Sequence, residues 1–220
     1  MTKYLIKVET KSLTLLGSGE GWSSAIDMDI VFDDVGLPYF PARRLKGLLR
    51  ESTQEVLEMF TASGINIFED ADVDLLFGKI GSPNGGRLIL DNLRIPDYQN
   101  VRQWCQWALS AHANLVSQEV IINAQTEMRE HTSINDDGIA KDNSLRKLRA
   151  IRAKTTFEGS AVIASDPEKK LQQLLALASL NMRHVGTSRH KGYGEVACKL
   201  FDGNVDLSQQ TIDLLKKGVA

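Results

Sequence analysis

Two segments far apart in the chain carry residue types suited to phosphate chemistry. Gly36 to Arg50 reads Gly-Leu-Pro-Tyr-Phe-Pro-Ala-Arg-Arg-Leu-Lys-Gly-Leu-Leu-Arg and sets Arg43, Arg44, Lys46 and Arg50 in the first turns of an expected helix. Gly186 to Val196 reads Gly-Thr-Ser-Arg-His-Lys-Gly-Tyr-Gly-Glu-Val and sets Arg189, His190 and Lys191 among Gly186, Gly192 and Gly194. N–H groups at a helix start favour anions. Glycines let a backbone approach a ligand closely, and Arg and Lys pair with phosphate. Together the segments suggest a surface that grips a phosphate backbone. Bases at a helix start oppose the helix dipole, which a nearby anion would make tolerable. A plain surface cluster is the competing reading, at roughly a few tenths of a kcal/mol per charge.

The formal net charge of −2 counts against a chain that is basic throughout, so the distribution of charge matters more than its sum. Lys141, Arg146, Lys147, Arg149, Arg152 and Lys154 stand against Asp142 alone, while acids gather at Glu69–Asp74 and Asp33–Asp34. That asymmetry suits one anion-binding face, or else a solvated charged segment. A hydrophobic content of 42% and a charged content of 25% are ordinary for a soluble globular protein, and 220 residues allow one large domain or two small ones. No apolar run approaches the roughly 18 residues of a membrane span, and the alternating N-terminus has no signal-peptide core. Cys105 and Cys198 lack metal-ligand spacing and read as buried or incidental thiols in the reducing cytoplasm. No His-x-x-x-His or Cys-x-x-Cys pattern supports zinc. The glycine-rich stretch 17–25 is not a phosphate loop, because no Gly-Lys-Ser/Thr follows it. Ser188 carries no nucleophile-elbow signature.

The positioning elements follow from periodicity. Tyr4, Ile6 and Val8 alternate with Lys3, Lys7 and Glu9, which predicts a half-buried strand over 3–10. Leu45, Leu48, Leu49, Val56, Leu57 and Phe60 share one face of an expected helix from about 42 to 62. Then come a helical turn at Asp72–Phe77, a turn cluster over 81–86, a strand at Arg87–Asp91, and a helix over 99–111 anchored by Trp104, Trp107 and Leu115. Segment 112–150 reads as a polar insertion, part hairpin and part loop, with a turn at Asn135–Gly138. A strand over 155–164 follows. Next comes a helix opened by Asp166 as N-cap and Pro167 as first residue, with Leu171, Leu174, Leu175 and Ala178 on one face. A strand at Gly194–Phe201 and a helix at Ser208–Lys217 complete the chain. The class is α+β, and the ferredoxin-like βαββαβ order is one topology that fits.

Pro41 to Gly47, Leu76-Phe77-Gly78, Gly86 to Asp91, Thr126-Glu127, Ile134-Asn135 and the C-terminal glycine-rich loop, in this order, resemble the RAMP superfamily of CRISPR proteins. The likeness is to the Cas7-type, Csm3-like backbone subunits of type III effector complexes and covers roughly residues 3–201. Ala42, Arg43 and Arg44 replace the usual small residues of the first turn. The resemblance implies a single domain over 1–220, with a ferredoxin-like, RRM-like core and a thumb inserted at about 112–150. It implies a cytoplasmic partner of CRISPR RNA and complementary target RNA, assembled with other Cas subunits, including neighbouring Cas7-like ones, and with no membrane contact. Arg43, Arg44, Lys46 and Arg50 would form one backbone clamp. Arg189, His190, Lys191, Gly192 and Gly194 would form a second. Phosphate contacts suffice where base pairing reads the sequence. In the thumb, Arg129 and His131 are RNA-contact candidates, His131 either contacting RNA or exposed and silent. Met128, Ile134 or Ile139 would supply an apolar tip, and Tyr193 either stacks or packs.

By the same resemblance, Asp27 in Ala25-Ile26-Asp27 is the catalytic and metal-binding carboxylate for cleaving guide-paired target RNA with Mg²⁺ or Mn²⁺. Asp29 is expected on the opposite face from Asp27, and Glu20, Asp33 and Asp34 are further candidates. Three alternatives stand beside this reading. One is a non-catalytic backbone or capping subunit. Another is a metal-independent CRISPR RNA-processing endonuclease working through His131 or His190. The third is an unrelated ferredoxin-like domain.

Overall fold

Alternation in the first strand sets the architecture. A computed structural model of the chain describes residues 2–17, 26–79, 81–82, 85–133, 135, 139, 141 and 144–219. Glu20 and Ile134 lie outside these. In β1 (Thr2–Thr10), Tyr4, Ile6, Val8 and Thr10 are buried and their neighbours are not. The strand therefore has one core face. β1 pairs antiparallel with β5 (Thr156–Ile163) on one side and β6 (Val196–Asp202) on the other. With β2 (Leu88–Leu90) beyond β5 and β7 (Val205–Asp206) beyond β6, the sheet order is β2-β5-β1-β6-β7. Without the short β7, that is the strand order of a ferredoxin-like βαββαβ unit.

The helices α1 (Ala42–Ala62) and α5 (Lys170–Asn181) cover the core face. Leu45, Leu49, Val56 and Leu57 of α1 and Leu171, Leu174 and Leu175 of α5 join the strand residues in one hydrophobic cluster. Gln172 is buried in α5 and accepts a hydrogen bond from Tyr4 Oη at 3.0 Å, so its amide oxygen is satisfied. α6 (Leu207–Val219) packs on α5 and β6. Cys105 and Cys198 are free and buried, and burial pushes the Cys198 thiol up to about 12, far from thiolate chemistry. Among the described residues, no helix is long and apolar enough to cross a membrane.

Four expectations are corrected. The helix expected to open at Asp166–Pro167 opens at Lys170, because Lys169 takes a left-handed conformation (φ 58°). Asp166 still caps it, accepting N–H bonds from Leu171 and Gln172. In α3 (Tyr98–Ala111) the anchors are not the tryptophans: Trp104 is 63% and Trp107 53% exposed, and Leu115 beyond the helix is 72% exposed. The buried stripe is Cys105 and Ala108, small residues that let the helix lie close to Val35 and Leu37. The polar insertion holds more order than a hairpin and loop. It contains α4 (Gln118–Gln125), capped by Ser117 Oγ accepting from Val120 N, and then the hairpin strands β3 (Thr126–His131) and β4 (Arg146–Ile151). The expected α2 turn is a helix, Asp70–Phe77, with a capping box between Glu69 and Asp72.

Candidate nucleic-acid interface

Three segments converge on a cleft of about 570 Å³. They are the stretch around Asp27, the first turns of α1, and the glycine-rich loop before β6. Its walls include Leu15, Met28, Gly47, Leu48 and Gly186, with Asp27, Asp29, Arg44, Glu51 and Arg189 as charged groups.

The Asp27 stretch lies along β4, on the edge opposite β3. Asp27 N donates to the Lys147 carbonyl (3.0 Å), Arg149 N donates to the Met28 carbonyl (3.0 Å), and Met28 and Leu148 form a parallel bridge. Lys147 N donates to Asp27 Oδ2 at 2.8 Å. Oδ1 has no protein donor among the described residues, and Asp27 is exposed. Asp29 is corrected: residues two apart in extended chain share a face, and both carboxylates line the cleft. They differ in burial. Asp29 is 2% exposed and accepts from Ile30 N and from Arg149 Nη1. Asp33 caps its own turn through Val35 N and Leu37 N, and Asp34 pairs with Arg102.

The first basic group divides. Arg43 and Arg44 are exposed and make no ion pair among the described residues. α1 has no acid in its first turn. Lys46 and Arg50 are instead held by the protein. Lys46 Nζ donates to the Leu88 carbonyl at 2.8 Å, and its pKa is lowered by burial and then by neighbouring Arg50. Arg50 donates to the Gly78 carbonyl (2.6 Å) and Asp74 (3.0 Å), pinning α1 to α2.

The second basic group forms a single 3-10 turn, Arg189–Lys191, between Ser188 and Gly192 in left-handed conformations. Arg189, His190 and Lys191 are exposed. Arg189 Nε donates to the Gly186 carbonyl and Nη1 lies 3.9 Å from Glu51. His190 lines a neighbouring cavity of about 280 Å³ together with Arg183, His184 and Glu55. The glycines do different jobs. A Cβ on Gly194 would lie 2.0 Å from the Val185 carbonyl oxygen, and one on Gly186 would lie 2.2 Å from that of Leu15. Gly194 thus serves close approach within the chain, whereas Gly192 has nothing within 4 Å.

The hairpin reaches the glycine-rich loop through His131. His131 Nε2 and Tyr193 Oη are 2.8 Å apart, joining the end of β3 to the glycine-rich loop, and Tyr193 packs in a small cluster with Leu15, Leu148 and Ala150. His131 is thus half-buried and partnered rather than exposed. Arg129 is exposed and paired with Glu127. Met128 and Ile139 are exposed. Sequence reasoning counted Arg149 in a basic run. It is 3% exposed, bonded to Asp29 and Glu119, and faces no solvent anion. Glu51 and Thr187, also in the cleft, carried no sequence signal.

On the open face of the main sheet, where an RRM would stack bases, two cations are paired, while Lys3 on the same face of β1 makes no ion pair among the described residues. Lys7 bonds Glu158 (3.0 Å) and lies over the Phe201 ring, while Lys199 bonds Asp206 (2.9 Å). A ferredoxin-like fold with a cleft that sets Arg44 and Arg189 beside Asp27, next to an inserted hairpin, defines the class. The model of the RAMP superfamily matches residues 7–197, and the chain belongs to that superfamily. Two cryo-EM structures of a type III-B Cmr-beta complex contain similar chains. One, bound to cognate target RNA, aligns at TM-score 0.63 and 12% identity, over 91% of this chain and 97% of the other. The second, in the apo state, aligns at TM-score 0.64 and 13% identity, over 90% and 97%. No curated protein matches.

Proposed function

We propose that this chain is a CRISPR RNA-binding, Cas7-type backbone subunit of a type III effector complex, and that it cleaves target RNA paired to the guide. The observation that carries the reading is the single cleft that gathers Asp27, Arg44 and Arg189 from three separate segments. One of the similar chains comes from a complex bound to cognate target RNA, which supports CRISPR RNA, target RNA and neighbouring Cas subunits as its partners.

Arg43, Arg44 and Arg189 would hold backbone phosphates without reading bases. Asp27, fixed through Oδ2 by the Lys147 N–H, lines the cleft with Oδ1 left without a protein donor among the described residues, free to orient or deprotonate an RNA hydroxyl. Asp27 is a hard oxygen ligand and would hold Mg²⁺ or Mn²⁺ together with water and substrate phosphate. Among the described residues no group of three ligating side chains forms a resident metal site. Such an ion would arrive with the RNA and supply charge stabilisation at the phosphate.

The test uses the complex assembled on its guide RNA, a labelled complementary RNA, and wild type beside Asp27→Ala, with and without Mg²⁺. Metal-dependent cuts that disappear in the variant while target binding persists are expected. Binding without cuts in either form would make the subunit a scaffold.

A further inference from the structure

We propose that Arg149 is a positioning residue for Asp27, fixing the register in which the Asp27 segment lies along β4. This deepens the cleavage reading and rests on it for the catalytic consequence. The main-chain bonds that join the segment to β4 are few: Asp27 N and, at 3.4 Å, Met28 N to Lys147 O, and Arg149 N to Met28 O, while further on Ile30 bridges Gly17 and Val31 N donates to Leu16 O. The bonds to β4 lie beside a two-stranded hairpin rather than inside the main sheet, and Asp27 is exposed. Such bonds alone leave the edge free to slip.

Arg149 supplies the fastening they lack. Its Nη1 lies 3.4 and 3.2 Å from the two oxygens of Asp29, and its Nη2 bonds Glu119 at the start of α4. One buried guanidinium therefore ties the Asp27 segment, the hairpin and α4 together. Asp29 stands two residues from Asp27, and a slip of one residue would turn its side chain to the other face of the strand. A one-residue slip therefore breaks the buried pair, and in the observed register Asp27 is the carboxylate left exposed at the cleft. Buried ion pairs contribute little net stability, but setting register is their best-attested use.

The experiment compares wild type, Arg149→Met, Arg149→Lys and the double variant Asp29→Asn/Arg149→Met. The double variant leaves no unpaired buried carboxylate should the single one fold poorly. Amide exchange on the full chain is followed at Asp27, with Ile6 and Val8 of β1 as the reference for global stability. Exchange at Asp27 is expected to quicken about tenfold in Arg149→Met and the double variant, with β1 unchanged. Target cleavage in the assembled complex should fall by up to about 100-fold at unchanged guide affinity, with part restored by Arg149→Lys. Unchanged exchange at Asp27, or equal acceleration in β1, overturns the proposal. If Asp27→Ala cuts normally, the cleavage reading fails, while exchange at Asp27 still decides the role of Arg149.

Discussion

Four basic residues within eight positions of α1 look equivalent in sequence, and long-range partners separate them. Lys46 and Arg50 donate to carbonyl oxygens 42 and 28 residues away, whereas Arg43 and Arg44 keep free charge. Two predictions follow from the division. Replacing Arg43 and Arg44 together with Ala should leave the unfolding midpoint unchanged and lower the salt dependence of RNA binding. Two phosphate contacts on a single strand correspond to a loss of about 1.4 in the log–log slope. An unchanged slope would move the clamp elsewhere. Arg50→Ala should do the reverse. It removes charged bonds to Gly78 and Asp74 and should cost roughly 1–3 kcal/mol in denaturant unfolding. The salt slope should remain as in wild type, and a full loss of slope without loss of stability would show that Arg50 serves RNA instead.

At the scale of elements, what was legible had local causes. The apolar spacing of α1 and the alternation of β1 are written in adjacent residues, and both elements fall where periodicity puts them. The fine bounds of α5 were not legible, because they depend on a left-handed Lys169 that no pattern announces. α4 is eight residues long with one fully buried side chain, Ile122, too little for a periodic signal. The cleft itself needed Asp27 to meet Lys147 across 120 residues of chain, which only tertiary pairing reveals. The glycine-rich loop shows the same limit. Gly194→Ala forces a Cβ into the Val185 carbonyl and should cost at least about 1–3 kcal/mol, measured by thermal melting. Gly192→Ala meets open space and should cost only about 1 kcal/mol, for its positive φ. Equal losses at the two positions would contradict the division of roles.

For the whole molecule, the question is which of two surfaces meets RNA in a chain of net charge −2. Total charge acts at long range and is screened within about 8 Å at physiological salt. Local clamps act by direct contact and counterion release. The two surfaces allow these effects to be separated, because each offers two cations whose removal changes net charge equally. On the open sheet face, Lys7 and Lys199 are already paired with Glu158 and Asp206. At the start of α1, Arg43 and Arg44 have no such partners among the described residues, and Arg44 lines the cleft. Lys7→Gln together with Lys199→Gln should therefore leave RNA affinity within about twofold and the salt slope unchanged, since no counterion is released there. Such exposed pairs are worth at most about 1 kcal/mol each, so the fold should tolerate the change. A slope loss equal to that of the Arg43 and Arg44 variant would mean either that RNA lies on the sheet or that the overall field governs binding. The unequal result ties affinity to the cleft that the Asp27 segment, α1 and the glycine-rich loop build together.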